Sequence, residues 1–139
     1  MRILVTGSRD WEDPVAISRA IYDACGGNTI GLVIVHGHCP TGADRFADSL
    51  AWGLSIQPER HPANWSGPCR DQCPLGHRRS RRGYAGATYC PMAGHYRNQE
   101  MVDLGADVVL AFQRNNSRGT QDCIDRARTA GLRVEVVTS

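Results

Sequence analysis

The sequence predicts an α/β fold of the Rossmann-like type, with three α/β/α layers around a mostly parallel sheet of about five strands. Short runs of apolar and β-branched residues alternate with longer segments in which apolar residues recur at helical spacing. This alternation is typical of a parallel sheet that is covered by helices on both faces. At 139 residues the chain has the length of one domain, and we expect a single domain over 1–139.

The first half of the chain contains signals for three strands and two helices. Asp13 followed by Pro14 is an N-cap with proline at the first helical position, and Gly26 and Gly27 end the helix that starts there. Apolar residues on one face predict a second helix over residues 41–54. The strands are predicted over residues 1–5, 30–35 and 56–61.

The second half predicts two further helices and two further strands. The helices are expected over 92–104 and 119–130, with Gly131 as a C-cap, and the strands over 106–112 and 134–137. Residues 66–92 lack apolar periodicity and are rich in Gly, Pro, Cys and Arg. We therefore predict a zinc-ribbon-like insertion there, which is held by something other than an apolar core.

Composition limits the functional class. The net charge of +2 is too small to indicate a nucleic-acid partner by itself, although all 16 basic residues are arginine. No segment has the roughly 20 apolar residues of a membrane span, and the start of the chain is predicted as a strand rather than a signal peptide. We expect no membrane partner and a cytoplasmic location, where the six cysteines would be thiols or metal ligands.

Three loops of small and polar residues follow predicted strands. They contain residues 6–9, 37–44 and 115–120. Ligands of doubly wound sheets bind at the carboxyl ends of the strands, near the point where the strand order reverses. The second and third loops also lead into helix N-termini, whose N–H groups favour an anion. Together the loops predict a pocket for a phosphate and a sugar.

The second loop, VHGHCPTGAD, is similar to a P-loop but lacks its lysine. Gly37 and Gly42 have the P-loop spacing, whereas Ala43 and Asp44 occupy the Lys and Ser/Thr positions. A carboxylate there would repel a triphosphate, so we expect Asp44 to bind a ribose hydroxyl instead. The stretch from Thr41 to Asp44 also fits a capping box, in which Asp44 would accept from the Thr41 N–H. The two roles are compatible.

Several motifs in order identify a family resemblance. They are ILVTGSRDW, VHGHCPTGADRFADSLAW, HPANW, GHYRNQEMVDLGADVVLAF and a final Gly-Thr. They resemble the YspA-like branch of the SLOG superfamily, Rossmann-like domains related to the LOG phosphoribohydrolases and to the DNA-processing protein DprA. The resemblance implies binding of a nucleotide or nucleotide-derived ligand, in signalling or in phage–host conflict. The implied ligand-binding residues are Gly7, Ser8, Arg9, Gly37, Thr41, Gly42, Ala43, Asp44, Arg97, Asn98, Gly119 and Thr120.

The chain departs from the hydrolases of that superfamily at their catalytic glutamate. Those enzymes carry P-G-G-x-G-T-x-x-E, whereas this chain has NNSRGTQDC, with Cys123 at the glutamate position and Asp122 beside it. Arg97 resembles their catalytic arginine. The alternative function is therefore hydrolysis of a nucleoside monophosphate or nucleotide sugar by Arg97 with Asp122 or Asp44 as the carboxylate.

The insertion contains residues suited to a structural zinc site. Cys69, Cys73, His77 and Cys90 form a Cys3His set, with two close ligands followed by others after a loop. His95 is a competing fourth ligand, and Cys39 could approach from the second loop. Zinc would order a segment that has no apolar core, and this segment would lie as a flap over the pocket, just before Arg97.

The insertion is also rich in arginine, which leaves a nucleic-acid partner open. Arginine and aromatic side chains together can bind phosphates and stack on bases, although a basic flap over an anionic ligand explains the same residues. Homo-oligomerisation is also left open. The residues of this cluster are Arg70, Arg78, Arg79, Arg81 and Arg82, with Tyr84 and Tyr89.

Overall fold

A computed structural model of the chain describes residues 1–80 and 87–139. Within these ranges the chain forms seven strands and four helices. In chain order they are β1 (Arg2–Gly7), α1 (Pro14–Ala24), β2 (Val33–His36), α2 (Gly42–Gly53), β3 (Glu59–Arg60), β4 (Arg79–Ser80), β5 (Thr88–Tyr89), α3 (Ala93–Asp103), β6 (Val108–Gln113), α4 (Arg118–Thr129) and β7 (Val134–Thr138). None of the helices in these ranges combines the length and the apolar character needed to cross a bilayer.

Five of the strands form one parallel sheet in the order β3-β2-β1-β6-β7. The chain moves outward from β1 through β2 to β3, then crosses to the other side of β1 and continues through β6 to β7. The strand order therefore reverses between β1 and β6, whose register pairs Gly7 with Phe112. The predicted Rossmann-like fold with five parallel strands is confirmed.

Helices cover both faces of this sheet. Side chains from α1 and α2 pack on one face together with Ile3, Val5 and Phe112, which are fully buried. Side chains from α3 and α4 pack on the other face against Leu4 and Val109. Both faces of the central strands are covered, which explains why β1 and β6 are continuous apolar runs rather than alternating ones.

Local signals explain most element boundaries. The Asp13 carboxylate accepts a hydrogen bond from the Ala16 N–H at 3.1 Å, so the predicted N-cap of α1 is confirmed. The predicted start of the second strand at Ile30 is wrong. Ile30 is 90% exposed and lies in a turn closed by the Leu32 N–H and the Thr29 carbonyl, and Gly31 in that turn has a φ of +70°.

The predicted insertion contains a small hairpin. β4 and β5 pair in antiparallel fashion, with Arg79 opposite Tyr89 and Ser80 opposite Thr88. Two residues per strand give little stability to an isolated hairpin. The order of this segment must therefore come from other contacts.

Candidate functional site

The three strand-end loops meet at one cavity of about 440 Å³. The cavity lies at the carboxyl ends of β1, β2 and β6, where the strand order reverses. Its volume is in the range of small-molecule sites. It is lined by Val5, Thr6, Gly7, Arg9, Asp10, Gly37, Cys39, Asp44, Trp65, Pro91, Gly94, His95, Arg97, Asn98, Met101, Arg114, Asn115, Ser117, Gly119 and Thr120.

Eight of the twelve ligand-binding residues implied by the resemblance line this cavity. They are Gly7, Arg9, Gly37, Asp44, Arg97, Asn98, Gly119 and Thr120. Ser8, Thr41, Gly42 and Ala43 do not line it. Ser8 is buried, and its hydroxyl exchanges hydrogen bonds with the backbone of Arg114 at 2.7 and 3.0 Å. Its role in the structure is to join the first and third loops.

Gly42 and Ala43 join the first loop to the second. The Ala43 N–H donates to the Ser8 carbonyl at 3.3 Å. Gly42 has a φ of +72°, and a side chain there would collide with the backbone of Ser8 and Arg9. Only glycine allows the two backbones to approach so closely. The second glycine of the P-loop-like motif therefore serves loop packing.

The capping box predicted for α2 does not form. Thr41 has the extended conformation of an N-cap but no side-chain cap bond, and an oxygen of Asp44 accepts instead from the Cys39 N–H at 3.1 Å. Asp44 is 7% exposed and lines the cavity. Burial raises the pKa of Asp44, against the opposing effects of the Cys39 hydrogen bond and the charges of His36 and Arg97. Asp44 thus stabilises the second loop through its hydrogen bond with the Cys39 N–H, and it also lines the cavity.

Arg97 lies across the cavity from α3 and binds two backbone carbonyls. Its guanidinium donates to the Gly37 carbonyl at 2.5 Å and to the His61 carbonyl at 3.3 Å, and its Nε donates to Asn98 at 3.0 Å. A Cβ at Gly37 would collide with this guanidinium. The glycine is therefore required by the position of Arg97, which crosses from the α3 side of the sheet to the second loop.

His95 and Asp122 form a pair that was not predicted from the sequence. His95 lines the cavity, and its Nδ1 lies 2.8 Å from a carboxylate oxygen of Asp122 on α4. Asp122 does not line the cavity, and its other oxygen accepts from Asn98 at 3.0 Å and from Arg126 at 2.9 Å. Sequence reasoning considered His95 only as a metal ligand, because nothing in the sequence shows that α3 and α4 pack here.

Cys123, at the glutamate position of the hydrolases, is fully buried. Burial raises the pKa of the Cys123 thiol to about 11, so the thiol stays neutral at physiological pH. A neutral buried thiol behaves as a small apolar side chain. The carboxylate of this turn is Asp122, and it reaches the cavity only through its contacts with Asn98 and His95.

His36 has a structural role at the end of β2. Its Nδ1 accepts from the His38 N–H at 3.0 Å, so its Nε2 carries the proton that faces Asp48 at 2.9 Å. Burial lowers the pKa of His36, despite the nearby charges of Asp44 and Asp48. Both ring nitrogens are used in fixing the second loop, and no lone pair remains for a metal ion.

The predicted metal ligands of the insertion come together. The donor atoms of Cys69, Cys73, His77 and Cys90 all lie within 4.8 Å of one another. Cys69 Sγ is 3.0 Å and Cys90 Sγ 3.5 Å from His77 Nε2, and Cys73 Sγ is 3.7 Å from Cys90 Sγ. This cluster could hold a metal ion. The competing ligands are not part of it, because His95 contacts Asp122 and Cys39 lies in the second loop beside Asp44.

The Cys3His cluster is attached to α3 and to the cavity wall. The Tyr96 hydroxyl lies 2.8 Å from Cys73 Sγ, and this hydrogen bond raises the pKa of Tyr96 to about 12, so the hydroxyl keeps its proton. The Cys90 N–H donates to the Trp65 carbonyl at 3.0 Å. Trp65 lines the cavity, packs edge-on against Tyr89 and lies under the Arg9 guanidinium. The insertion is thus part of the structure around the pocket.

Two of the three described arginines of the cluster form contacts within the protein. Arg70 forms an ion pair with Glu100 at 3.0 Å and stacks on Tyr96. Arg78 donates to the Gly67 carbonyl at 2.8 Å and to Thr88. Arg79 is exposed. Of the remaining predicted members, Arg81, Arg82 and Tyr84 lie outside the described residues.

Comparisons with known proteins fit this architecture. The model of the YspA, cpYpsA-related SLOG family, YAcAr, matches residues 1–67. The Gene 61 protein of Mycobacterium phage D29 is 38% identical over 138 residues, which cover 96% of this chain and 93% of that protein. The chain belongs to the YspA, cpYpsA-related SLOG family. No solved structure matches it.

The family model covers the part of the cavity formed by the loops after β1 and β2. The cavity residues that α3 and α4 contribute, among them Arg97 and His95, lie beyond the residues that the family model matches. The Cys3His cluster lies beyond them as well, within the region that aligns with the phage protein.

Proposed function

We propose that the strand-end cavity binds a nucleotide or a nucleotide-derived small molecule. The observation that carries the proposal is the meeting of the three loops around one cavity at the strand-order reversal of the sheet. This is the position at which doubly wound sheets bind nucleotides. Membership of the SLOG family supports the same class of ligand.

The lining of the cavity offers a partner for each part of such a ligand. The first turn of α4, with Gly119 and Thr120, suits a phosphate, and Arg9 and Arg114 bring positive charge to it. The carboxyl group of Asp44 suits a ribose hydroxyl. The Trp65 ring offers an apolar face to a base. The absence of lysine after Gly42 argues against triphosphate cleavage of the P-loop kind.

Thermal denaturation with AMP, ADP-ribose, NAD and cyclic AMP at millimolar concentration tests the proposal. A ligand that binds the native state raises the midpoint, and the rise grows with the logarithm of the ligand concentration once that concentration exceeds the dissociation constant. We expect stabilisation by at least one of the four, which is reduced in Arg9→Ala because that guanidinium lines the cavity from an exposed position. Arg128→Ala, on the exposed end of α4, is the matched control and should respond as the wild type does. Unchanged midpoints with all four ligands would overturn the proposal.

We further propose that the ion held by the Cys3His cluster is a structural zinc. A tetrahedral ion with bonds of about 2.3 Å separates its sulfur ligands by about 3.8 Å. The 3.7 Å between the sulfurs of Cys73 and Cys90 agrees with this requirement. Three thiolates and one imidazole also form a closed ligand set, which is typical of structural sites rather than catalytic ones. Elemental analysis should find about one equivalent of zinc, and less than about half an equivalent would contradict the assignment.

A further inference from the structure

A second cavity, of about 400 Å³, adjoins the strand-end cavity. Its volume is also in the range of small-molecule sites. Three of its five lining residues line the strand-end cavity as well, so the two cavities share a wall. We call it the hairpin cavity, and it is lined by Arg9, Trp65, Arg79, Tyr89 and Pro91.

The hairpin of the insertion supplies two residues of this cavity. Arg79 on β4 lies directly opposite Tyr89 on β5, so both side chains project from the same face of the hairpin. Tyr89 packs edge-on against Trp65, with the ring centroids 6.1 Å apart. The N–H of Cys90, the next residue after Tyr89, donates to the Trp65 carbonyl at 3.0 Å. The hairpin is therefore held beside the strand-end cavity.

The charges of the hairpin cavity favour an anion. Arg9 and Arg79 are exposed, and no carboxylate is among the described residues that line the cavity with them. Within residues 1–80 and 87–139, neither guanidinium forms an ion pair. The Arg9 guanidinium lies 5.8 Å from the centre of the Trp65 ring, and both residues line both cavities. Such guanidinium groups suit a phosphate, to which each can donate two parallel hydrogen bonds.

The aromatic side chains of the hairpin cavity suit a base. Trp65 and Tyr89 are only half-buried, so part of each ring is accessible from the cavity that they line. Aromatic rings of proteins stack on the bases of nucleotides, and all bases have a face that can take part. Guanidinium groups beside accessible rings therefore favour a nucleotide over a simple inorganic anion.

We propose that the hairpin cavity binds the second nucleotide of a dinucleotide whose first nucleotide occupies the strand-end cavity. The inference rests on the proposed function, because the first nucleotide has to bind there. Arg9, which lines both cavities, binds the phosphate that links the two nucleosides, and Arg79 approaches this phosphate from the hairpin. The second base stacks on Tyr89. A phosphodiester and a pyrophosphate linkage present the same kind of oxygen to a guanidinium, so both belong to this class of ligand.

A long nucleic-acid strand fits the described charges less well than a dinucleotide does. Of the described arginines of the insertion, Arg70 pairs with Glu100 and Arg78 donates to a backbone carbonyl, which leaves Arg79. Binding of a strand depends on the neutralisation of several successive phosphates. Arg79 together with Arg9 of the body accounts for one linking phosphate.

The test compares ligands that contain one nucleotide with ligands that contain two. Calorimetry on the full chain measures the affinities for AMP, for 5′-phosphorylated diadenylate and for NAD. Both dinucleotides contain the AMP unit, and they differ in having a phosphodiester or a pyrophosphate linkage. We expect at least one of them to bind at least about tenfold more tightly than AMP, because it gains a stacked base and a phosphate contact. The tighter of the two identifies the linkage.

Two variants of the hairpin should affect the dinucleotides alone. Arg79→Ala should remove most of the gain over AMP and leave the affinity for AMP within about threefold of the wild-type value, because Arg79 does not line the strand-end cavity. Tyr89→Leu should lower the dinucleotide affinity at least about fivefold, since leucine keeps an apolar contact with Trp65 but offers no ring to the base.

The control for charge is Arg128→Ala, which removes an exposed guanidinium that lines neither cavity. It should bind all three ligands as the wild type does. Hydrogen exchange of residues 66–80 establishes that the insertion is folded in each variant. If the insertion is unfolded in Arg79→Ala, Arg79→Gln replaces it, with the same expected loss of the gain over AMP.

The outcomes separate this inference from the function on which it rests. Equal affinities for AMP and both dinucleotides would overturn the inference and leave the binding proposal standing. Equal losses of AMP and dinucleotide affinity in Arg79→Ala would also overturn it. So would octa-adenylate that binds more than about tenfold more tightly than diadenylate with a steep dependence on salt, because the ligand would then be a strand. If none of these ligands binds, the inference is overturned, and thermal denaturation with ADP-ribose and cyclic AMP decides the binding proposal separately.

Discussion

Two regions of the chain differ in what gives them order. The Rossmann-like body, residues 1–65 and 93–139, has central strands that are wholly buried and two apolar clusters on opposite faces of its sheet. In the described residues of the insertion, 66–80 and 87–92, Cys90 alone is buried. Leu75 in that segment is fully exposed. Burial of apolar surface accounts for the body, whereas the insertion depends on its Cys3His cluster and on contacts with Trp65 and Tyr96.

This difference shows how a short α/β domain can extend its ligand pocket without extending its core. A segment of this composition cannot bury enough apolar surface to offset the entropy of ordering its backbone. A metal ion held by the Cys3His cluster would supply that free energy at one point. The segment would then depend on the ion, and that dependence would reach the pocket through the hydrogen bond between Tyr96 and Cys73, because Tyr96 is the neighbour of both His95 and Arg97.

Removal of one side chain of the Cys3His cluster should produce the largest difference in order between the two regions. In Cys73→Ser we expect bound metal to fall below about half an equivalent and the amides of residues 66–80 to lose their protection from hydrogen exchange. The amides of β1 and β6 should keep theirs, because the core does not contain the cluster. Cys25→Ser, a cysteine outside the cluster, is the matched control. Equal loss of protection in both regions would show that they share one source of order.

Truncation of one core side chain should destabilise the body by about 3–5 kcal/mol. Phe112→Ala removes a fully buried ring that packs edge-on against Trp11 at 5.4 Å, and urea denaturation measures the change in the free energy of unfolding. The same truncation in the insertion, Leu75→Ala, should change that free energy by less than about 0.5 kcal/mol. A comparable cost at both positions would contradict the distinction between the regions.

The contact between the second loop and α3 should be sensitive to one methyl group. Gly37→Ala places a Cβ against the Arg97 guanidinium, which must then leave the Gly37 carbonyl. We expect the affinity for the stabilising nucleotide to fall about tenfold, or about 1.4 kcal/mol, by calorimetry. Gly53→Ala, where nothing lies within 4 Å of the added Cβ, should bind normally. Normal binding by Gly37→Ala would mean that the position of Arg97 does not matter to the ligand.

The smallest expected effect is on the stability of the body at acidic pH. Hydrogen bonds from Arg2 and His61 lower the pKa of Glu59 from 4.5 to about 2, with burial opposing them. A carboxyl group with a lowered folded-state pKa stabilises the protein above its unfolded value, and this contribution disappears as the pH falls through the folded value. The body should therefore lose a fraction of a kcal/mol between about pH 4.5 and 2, since the pair is solvent-exposed. In Glu59→Gln that part of the pH dependence of urea denaturation should vanish, and an unchanged profile would contradict the assignment.

Local signals explain which features could be predicted from the sequence. The Asp13–Pro14 cap and the alternation of strands and helices depend on residues that are close in the chain, and the structure confirms both. The four predicted metal ligands also follow from local spacing, and the structure brings them together in one cluster. The capping box at Asp44 also fitted a local pattern, but the pattern does not show that the Cys39 N–H lies closer to the carboxylate. The surrounding loops bury the Asp44 carboxylate in a position where it binds the Cys39 N–H rather than the Thr41 N–H.

Long-range packing explains what could not be predicted. His95 and Asp122 lie on different helices, and only the packing of α3 against α4 brings them within 2.8 Å. The same is true of Ser8, whose small polar side chain suggested a ligand contact but instead binds the backbone of Arg114 on the neighbouring strand end. Nothing in the spacing of such residues along the sequence indicates that they are in contact.

Ligand binding at the strand-end cavity is tested most directly by a nitrogen–proton correlation spectrum of the isotope-labelled protein, titrated with AMP, ADP-ribose, NAD and cyclic AMP. We expect at least one of them to shift the amide signals of all three strand-end loops, residues 6–10, 37–44 and 115–120, and to leave those on the outer surfaces of α1 and α2 unchanged. Shifts confined to other surfaces, or no shifts with any of the four at millimolar concentration, would contradict it.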